Sequence, residues 1–187
     1  MPAKAELEIV AHHEAGHAVV ALAFCATGLR ASIKPRGKRM GWVRHSPLPR
    51  YAEPESVPLI SLAGPFAQRR IAPRSNWLTS DFNRVCRMIK GGSENQKKYL
   101  AFIVDLAEKT VDYFWADIKV AAKALLKHET LTGDEITVAI RAARRRSGRR
   151  PRVYDPPEFR SLKKTSSCLK LDIAVAAFDL DRPAIAG

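Results

Sequence analysis

Two histidines and one glutamate near the N-terminus have the types and spacing of a catalytic zinc site. His13 and His17 are four residues apart in the segment HHEAGHAVV, so a helix places both imidazoles on one face. Neutral imidazole binds zinc well, and Glu14 stands beside the pair, where it can act as a general base toward water. Many helical histidines are only packed or solvated, and His12, which points away from the other two, is assigned that role. The HExxH pattern predicts a metallopeptidase with bound Zn2+.

Two imidazoles do not complete such a site. A catalytic zinc ion has three protein ligands and one open position, so a third ligand must come from further along the chain. From the residues alone, that ligand is either a carboxylate or His45. Spacing does not select between them.

The surrounding segments predict an α+β fold that is mainly α-helical, with the metal helix first, then a small β-hairpin or sheet, then a helical bundle. Residues 4–27 contain no proline and carry apolar side chains around the whole helix, which predicts a largely buried helix with Gly28 as its C-cap. Residues 31–46, ASIKPRGKRMGWVRHS, have the composition of a hairpin.

Two further helices are predicted after the hairpin. Residues 55–71 have apolar side chains at helical spacing. Thr79 and Ser80 can cap the next helix, which is expected to end at the Gly-Gly pair 91–92. Asp81 then falls in the first turn of that helix.

The C-terminal half predicts a helical bundle and a tail. Residues 95–131 have the pattern of one very long helix or of two joined helices. Thr132 and Glu135 form a capping box for a last helix. We therefore expect one peptidase domain over residues 1–147 and a basic, proline-containing tail over residues 148–187.

Composition limits the partners and the compartment. Thirty-two Lys and Arg against nineteen Asp and Glu give a formal net charge of +13, which suits acidic partners, nucleic acid or anionic lipid, although a solvated basic surface explains it equally well. Cys25, Cys86 and Cys168 include no CxxC pair, which argues against a disulfide framework or a thiolate zinc site and for the cytoplasm. The apolar run over residues 18–26 is shorter than the roughly 20 residues of a membrane span.

The order of five segments resembles the peptidase domain of the FtsH-type AAA+ zinc metalloproteases. The resemblance covers residues 8–140 and is carried by HHEAGHAVV, SIKPRGKRMGWV, SLAGPFAQRR, TSDFNRV and ALLKHETLTGDEI. It implies that His13 and His17 bind zinc, that Glu14 activates the water and that Asp81 is the third ligand. An acidic residue in a first turn also stabilises the helix through its dipole, which is the alternative role for Asp81.

The same resemblance implies a binding site for a protein or peptide substrate. In that family, the strand beside the metal helix pairs with an extended substrate, which assigns substrate binding to Met40, Gly41, Trp42 and Val43. A purely structural hairpin is the alternative explanation for these four residues.

Three departures from the family narrow the expectation. No P-loop and no ATPase domain precede the metal helix, so the chain is not expected to unfold substrates itself. The helix AGPFAQRR carries Gln68, Arg69 and Arg70 in place of the family's acidic residues and has Pro65 inserted, so subunit contacts are expected to differ. The arginine-rich segment 141–152 lacks interleaved aromatic residues, so nucleic-acid binding is a minor hypothesis.

The sequence thus predicts a stand-alone, ATP-independent zinc metalloendopeptidase that cuts flexible or unfolded proteins. The alternatives are a peptidase that cuts one specific protein, the protease subunit of a split machine with a separate ATPase, and a basic adaptor or nucleic-acid-binding protein with a structural zinc site. An intact Glu14 argues against the adaptor, because a structural site needs no base. A homo-oligomer stays open.

Overall fold

A computed structural model of the chain describes most of the predicted domain. The described residues are 4–37, 39–49, 52, 54–75, 80–89 and 93–147. Within them, the helices are α1 (Lys4–Ala23), α2 (Ser56–Ile71), α3 (Ser80–Met88), α4 (Glu94–His128) and α5 (Gly133–Arg146). The strands are β1 (Arg30–Ser32), β2 (Trp42–Arg44) and β3 (Thr130–Thr132). The fold is α+β and mainly α-helical, as the sequence predicts.

The core is formed by α1, α2 and α4, which pack against one another, while α3 packs on α2 and α5 packs on α4. The side chains that α1 buries are small, among them Ala11, Ala15 and Ala18. Gly16 marks a close approach of two backbones, because a Cβ atom there would lie 2.5 Å from the carbonyl oxygen of Ala63 in α2. This crossing holds the HExxH segment directly against α2.

Helix α1 ends at Ala23, four residues before the end of the predicted range. The predicted C-cap, Gly28, is not the residue that ends it. Cys25 adopts the left-handed conformation with φ of 60°, and the N–H of Ala26 donates to the carbonyl of Ala21 at 3.0 Å. This is the Schellman arrangement, which glycine usually adopts and which a cysteine adopts here at some cost in strain.

The three strands form an antiparallel sheet in the order β2-β1-β3. Ala31 in β1 pairs with Val43 on one side and with Leu131 on the other. The predicted hairpin corresponds to β1 and β2, whereas the assignment of Leu131 to a helix is wrong, since it is the centre of β3. Among the described strands β2 pairs only with β1, so its other side is a sheet edge with main-chain groups available for pairing.

Helix α4 is one uninterrupted helix rather than two joined ones. Ser93 caps it by accepting the N–H of Gln96, whose side chain accepts the N–H of Ser93 in return. The helix stops where Glu129 adopts φ of 60°, which lets the chain turn back into the sheet.

Helix α5 begins with the predicted capping box, in which Thr132 accepts the N–H of Glu135 and the Glu135 carboxylate accepts the N–H of Thr132. Its C-terminal half is tied to α4 by an ion pair between Arg144 and the buried Asp117, with Nε donating to Oδ1 at 3.0 Å. Ser147 is the C-cap of this helix, and the residues that follow it lie outside the described part of the chain.

Helix α3 is short and lightly anchored. It has nine residues, of which only Val85 is buried. The helix begins at Ser80 and carries Asp81 in its first turn, as predicted. The other predicted boundary residues, Thr79 and the pair 91–92, lie outside the described residues.

The arginines that distinguish α2 from the family pattern are used within the chain. Arg69 forms an ion pair with Glu108, and Arg70 forms one with Asp112, both on α4. Pro65 lies inside α2 and is buried. The two ion pairs thus link the exposed sides of α2 and α4.

The structure bears only partly on the predicted tail, the cysteines and the absence of a membrane span. The predicted tail, residues 148–187, lies outside the described residues and includes Cys168. Cys25 and Cys86 are free thiols. None of the helices in the described part of the chain is both long enough and apolar enough to cross a bilayer.

Candidate metal centre

Three side chains from two helices converge on one point. His13 and His17 extend from α1 and Asp81 from the first turn of α3, and we call these residues the metal triad. The two Nε2 atoms are 3.1 Å apart, and Oδ2 of Asp81 lies 3.3 Å from Nε2 of His13 and 3.6 Å from Nε2 of His17. The sequence-predicted ligands therefore meet, although α3 is far from α1 along the chain.

The other nitrogen of each imidazole is held by a group that can only accept a hydrogen bond. Nδ1 of His13 lies 2.9 Å from Oε1 of Gln68, and Nδ1 of His17 lies 2.7 Å from the carbonyl oxygen of Ile60. The amide of Gln68 is oriented because its Nε2 donates to Ser75 Oγ at 3.1 Å. Each Nδ1 therefore carries a hydrogen, which leaves the Nε2 atom of each ring to bind a cation, either a proton or a metal ion.

This geometry fits a tetrahedral zinc ion. Zinc binds His nitrogen and carboxylate oxygen at about 2.0 to 2.2 Å, so tetrahedral coordination separates ligand atoms by about 3.3 to 3.5 Å. The three observed separations, 3.1, 3.3 and 3.6 Å, bracket that range. Two lone pairs and a carboxylate that face one another in this way repel unless a cation lies between them.

The ionisation of the triad reflects the same convergence. Burial opposes the charged forms, but the hydrogen bonds and positive charge of His13 and His17 outweigh it and hold the pKa of Asp81 well below its ordinary value. Burial alone lowers the pKa of His17, yet the hydrogen bond and charge of Asp81, with help from Glu14, raise it overall. Without a metal ion, the triad thus attracts a proton to the position that a cation would take.

Glu14 is buried beside the triad, with 6% of its surface exposed. Burial raises its pKa, an effect that the charges of His17 and His13 reduce without reversing. Its carboxyl lies against the backbone just before β2, since a Cβ atom on Gly41 would be 2.7 Å from Oε1 of Glu14. Because Gly41 has no side chain, the carboxyl of Glu14 fits against the backbone just before β2.

The metal triad opens into a cleft of about 880 Å³. The four predicted substrate-binding residues line it together with the triad and Glu14: Met40, Gly41, Trp42 and Val43. His45, the other candidate ligand, also lines the cleft, but its Nδ1 lies 2.6 Å from the carbonyl oxygen of Ser46, and it is not part of the triad. The carboxylate alternative is the one with the required geometry.

One face of α2 shapes the site and is missing from the sequence prediction. Ile60, Gly64 and Gln68, which we call the α2 stripe, recur every four residues and so lie on one face. Ile60 and Gln68 orient the two imidazoles, and a Cβ atom on Gly64 would lie 2.6 Å from Cε1 of His17. The four-residue spacing, which matches that of the His pair, is the signal that could have identified the stripe.

His12 has the packing role expected of it. Its ring is buried and stacks on Trp115 of α4 at 5.7 Å, and its Nδ1 lies 2.9 Å from the carbonyl oxygen of Glu8.

Compared with known proteins, the chain matches no family model and no curated sequence. Its function must therefore be inferred from the metal triad, Glu14 and the cleft.

Proposed function

We propose that this protein is a zinc-dependent endopeptidase that cuts flexible or unfolded polypeptides without ATP, as its resemblance to the FtsH-type peptidase domain implies. The observation that carries the proposal is the convergence of Nε2 of His13, Nε2 of His17 and a carboxylate oxygen of Asp81 on one point, next to the buried Glu14. Nε2 of His13 and Nε2 of His17 can be acceptors only because their Nδ1 atoms are bound to Gln68 and Ile60. Such an arrangement is costly without a cation and favourable with one.

Each side chain has a defined task in this proposal. His13, His17 and Asp81 hold the ion, which supplies Lewis acidity toward the scissile carbonyl and toward water. Glu14 accepts a proton from the attacking water at its carboxylate and delivers it to the leaving amine. The position of Glu14 suits both steps, because its carboxyl is buried directly beside the triad.

The edge of the sheet supplies the substrate site. Trp42 and Val43 of β2 line the cleft, and among the described strands β2 pairs only with β1, so an extended peptide can add to its other edge through main-chain hydrogen bonds. Such bonds do not depend on the substrate's side chains, and they require an extended segment. Folded proteins rarely offer one, which is why the proposed substrates are flexible or unfolded.

A purely structural zinc site explains the residues less well. Structural zinc ions generally have four protein ligands, whereas the described residues bring three to this point. The three residues that would hold the ion also line an open cleft, so water or a substrate could reach it. A structural site also gives no reason for the carboxyl of Glu14 to be buried beside the ion, where desolvation is unfavourable.

The test combines metal content with one substitution. Purified protein should contain about one zinc ion per chain, and Glu14→Gln should keep the metal but lose hydrolysis of casein. Glu8→Gln is the matched control, because Glu8 is an exposed glutamate on the same helix. Zinc binding with unchanged hydrolysis in Glu14→Gln would refute the role of Glu14, and absence of zinc binding in the wild-type chain would refute the whole proposal.

A further inference from the structure

The charged residues of the cleft are unevenly divided between the metal centre and its surroundings. Among the described residues that line it, the carboxylates are Glu14 and Asp81, and both belong to the metal centre. The remaining charged side chains are three arginines: Arg39, Arg84 and Arg87. Outside the metal centre, the charged residues among the described part of the cleft lining are therefore all positive.

The three arginines approach the cleft from two sides. Arg84 and Arg87 follow Asp81 on α3 by three and six residues, and both line the cleft with it. Arg39 belongs to the hairpin and immediately precedes Met40 at the entrance to the edge strand. A peptide paired with β2 would thus have one guanidinium near the hairpin and two across from it.

These arginines are exposed and form no ion pair with any other described residue. The contrast with α2 is informative, because Arg69 and Arg70 are neutralised by carboxylates of α4. With a divalent ion in the triad, the charges of the ion and the two carboxylates cancel, and the three guanidiniums are left over. A concave surface concentrates such a field on whatever enters it.

The same cleft favours a polypeptide over a nucleic acid as the occupant. Its lining includes apolar side chains such as Leu48 and Val57, and Trp42 is its one aromatic side chain among the described residues. Single-stranded nucleic acids are usually held by several aromatic side chains that stack on successive bases. The edge of β2 offers main-chain pairing, which only a polypeptide can use fully.

We propose that the cleft selects polypeptide segments rich in aspartate and glutamate, whose carboxylates are bound by Arg39, Arg84 and Arg87. This proposal rests on the peptidase function proposed above and names its substrate class. Guanidinium groups bind carboxylates through paired N–H donors, so acidic side chains on either side of the scissile bond would have partners on both sides of the cleft.

Hydrolysis of two matched peptides tests the selection. One is an unstructured, internally quenched peptide with glutamate at alternate positions, and the other replaces every glutamate by glutamine. With the zinc-loaded full chain, we expect kcat/KM to be about tenfold higher for the acidic peptide at low salt, mainly through KM, and the ratio to fall as salt is raised. Equal kcat/KM values at low salt would overturn the proposal while leaving the peptidase function intact.

Charge-neutralising variants locate the effect. Arg84→Gln combined with Arg87→Gln should bring the ratio between the two peptides toward one. The matched control removes two exposed arginines of α5 that do not line the cleft, Arg141→Gln with Arg145→Gln, and should keep the wild-type ratio. An equal drop in both double variants would show that net charge, and not the cleft, selects the substrate.

A binding measurement keeps the proposal testable if no peptide is cut. Fluorescence anisotropy of the labelled peptides with zinc-loaded Glu14→Gln protein should show tighter binding of the acidic one, and equal affinities would overturn the proposal. Cleavage of neither peptide, together with tighter acidic binding, would reject the peptidase function but keep the site. Tighter binding of a single-stranded oligonucleotide than of the acidic peptide, lost in the Arg84 and Arg87 variant, would assign the cleft to nucleic acid instead.

Discussion

Substituting Gly64 by alanine should abolish high-affinity zinc binding, although no ligand residue is replaced. In Gly64→Ala, the new Cβ atom would lie 2.6 Å from Cε1 and 2.7 Å from Cδ2 of His17, where ordinary contacts are 3.4 to 4 Å. The ring must therefore move by about 1 Å, half the length of a zinc–nitrogen bond of about 2.0 Å. Its Nδ1 is bound to the Ile60 carbonyl, so it cannot turn away without losing that hydrogen bond.

The size of the effect follows from the displaced ligand. Disturbing a partner that orients a ligand weakens metal binding by about 10- to 100-fold, and moving the ligand itself should cost at least the upper value. At a zinc concentration about 1,000 times the wild-type Kd, zinc stabilises the fold by about 4.1 kcal/mol, and a 100-fold weaker site gives only about 1.4 kcal/mol. For a domain of this size, the difference is about 5 to 10 °C in the zinc-induced rise of Tm.

Competition with a chromophoric chelator measures the affinity, and thermal unfolding with and without zinc measures the stabilisation. In the metal-free protein, the higher helix propensity of alanine, about 1 kcal/mol, offsets part of the strain, so Tm should change much less than the zinc increment does. Gly133→Ala is the control, since its Cβ atom would be 3.1 Å from Cδ2 of Leu22 and 3.2 Å from Cβ of Leu29, and no atom of the triad is among its nearest neighbours. Wild-type zinc affinity in Gly64→Ala would refute the assignment of His17 as a ligand.

Two other substitutions or conditions probe the same centre. Gln68→Leu removes the hydrogen-bond acceptor for Nδ1 of His13 and should weaken zinc binding about 10- to 100-fold in chelator competition. Gln68→Glu keeps an acceptor, so this variant should bind zinc at least as tightly as the wild-type protein. Equal zinc affinities for the wild-type protein and both variants would contradict the role of Gln68. The pKa of His17 is raised above 6.5 in the metal-free fold, so its contribution to stability is complete below pH 6.5 and is lost as the pH rises through the raised pKa. Zinc competes with that proton, so the zinc-induced rise of Tm should grow between about pH 6 and pH 8, and a shift that is independent of pH would contradict this linkage.

Features encoded by local patterns could be predicted from the sequence. The spacing of His13 and His17 places both on one face of any helix, whatever surrounds it. The capping box of Thr132 and Glu135 needs only residues three apart, and it is present as predicted. Asp81 could be nominated only by the ordered resemblance, because its neighbours in the centre are remote in sequence.

Features that depend on distant partners could not be predicted. Strand β3 has three residues, and what makes it a strand is pairing with Ala31, about 100 residues earlier in the chain. From the sequence alone, Gln68 is expected to be an exposed residue of a helix, because nothing local indicates that α1 crosses α2 beside it and brings His13 within hydrogen-bond distance. Helix α1 ends at Ala23, and Cys25, not the expected Gly28, takes the left-handed position that closes it, although glycine is the residue that local preference favours there.

The light anchoring of α3 has a consequence for how metal would enter and leave. Asp81 is the one member of the triad on this helix, and Val85 is the only residue buried within it. Segments with few buried contacts open locally at a much smaller free energy than the core, so α3 can detach while α1 and α2 stay packed. Each opening leaves two ligands in place and removes the third. The rate of zinc exchange would then follow the opening rate of α3, and a bound ion would slow amide exchange in α3 more than in any helix of the core.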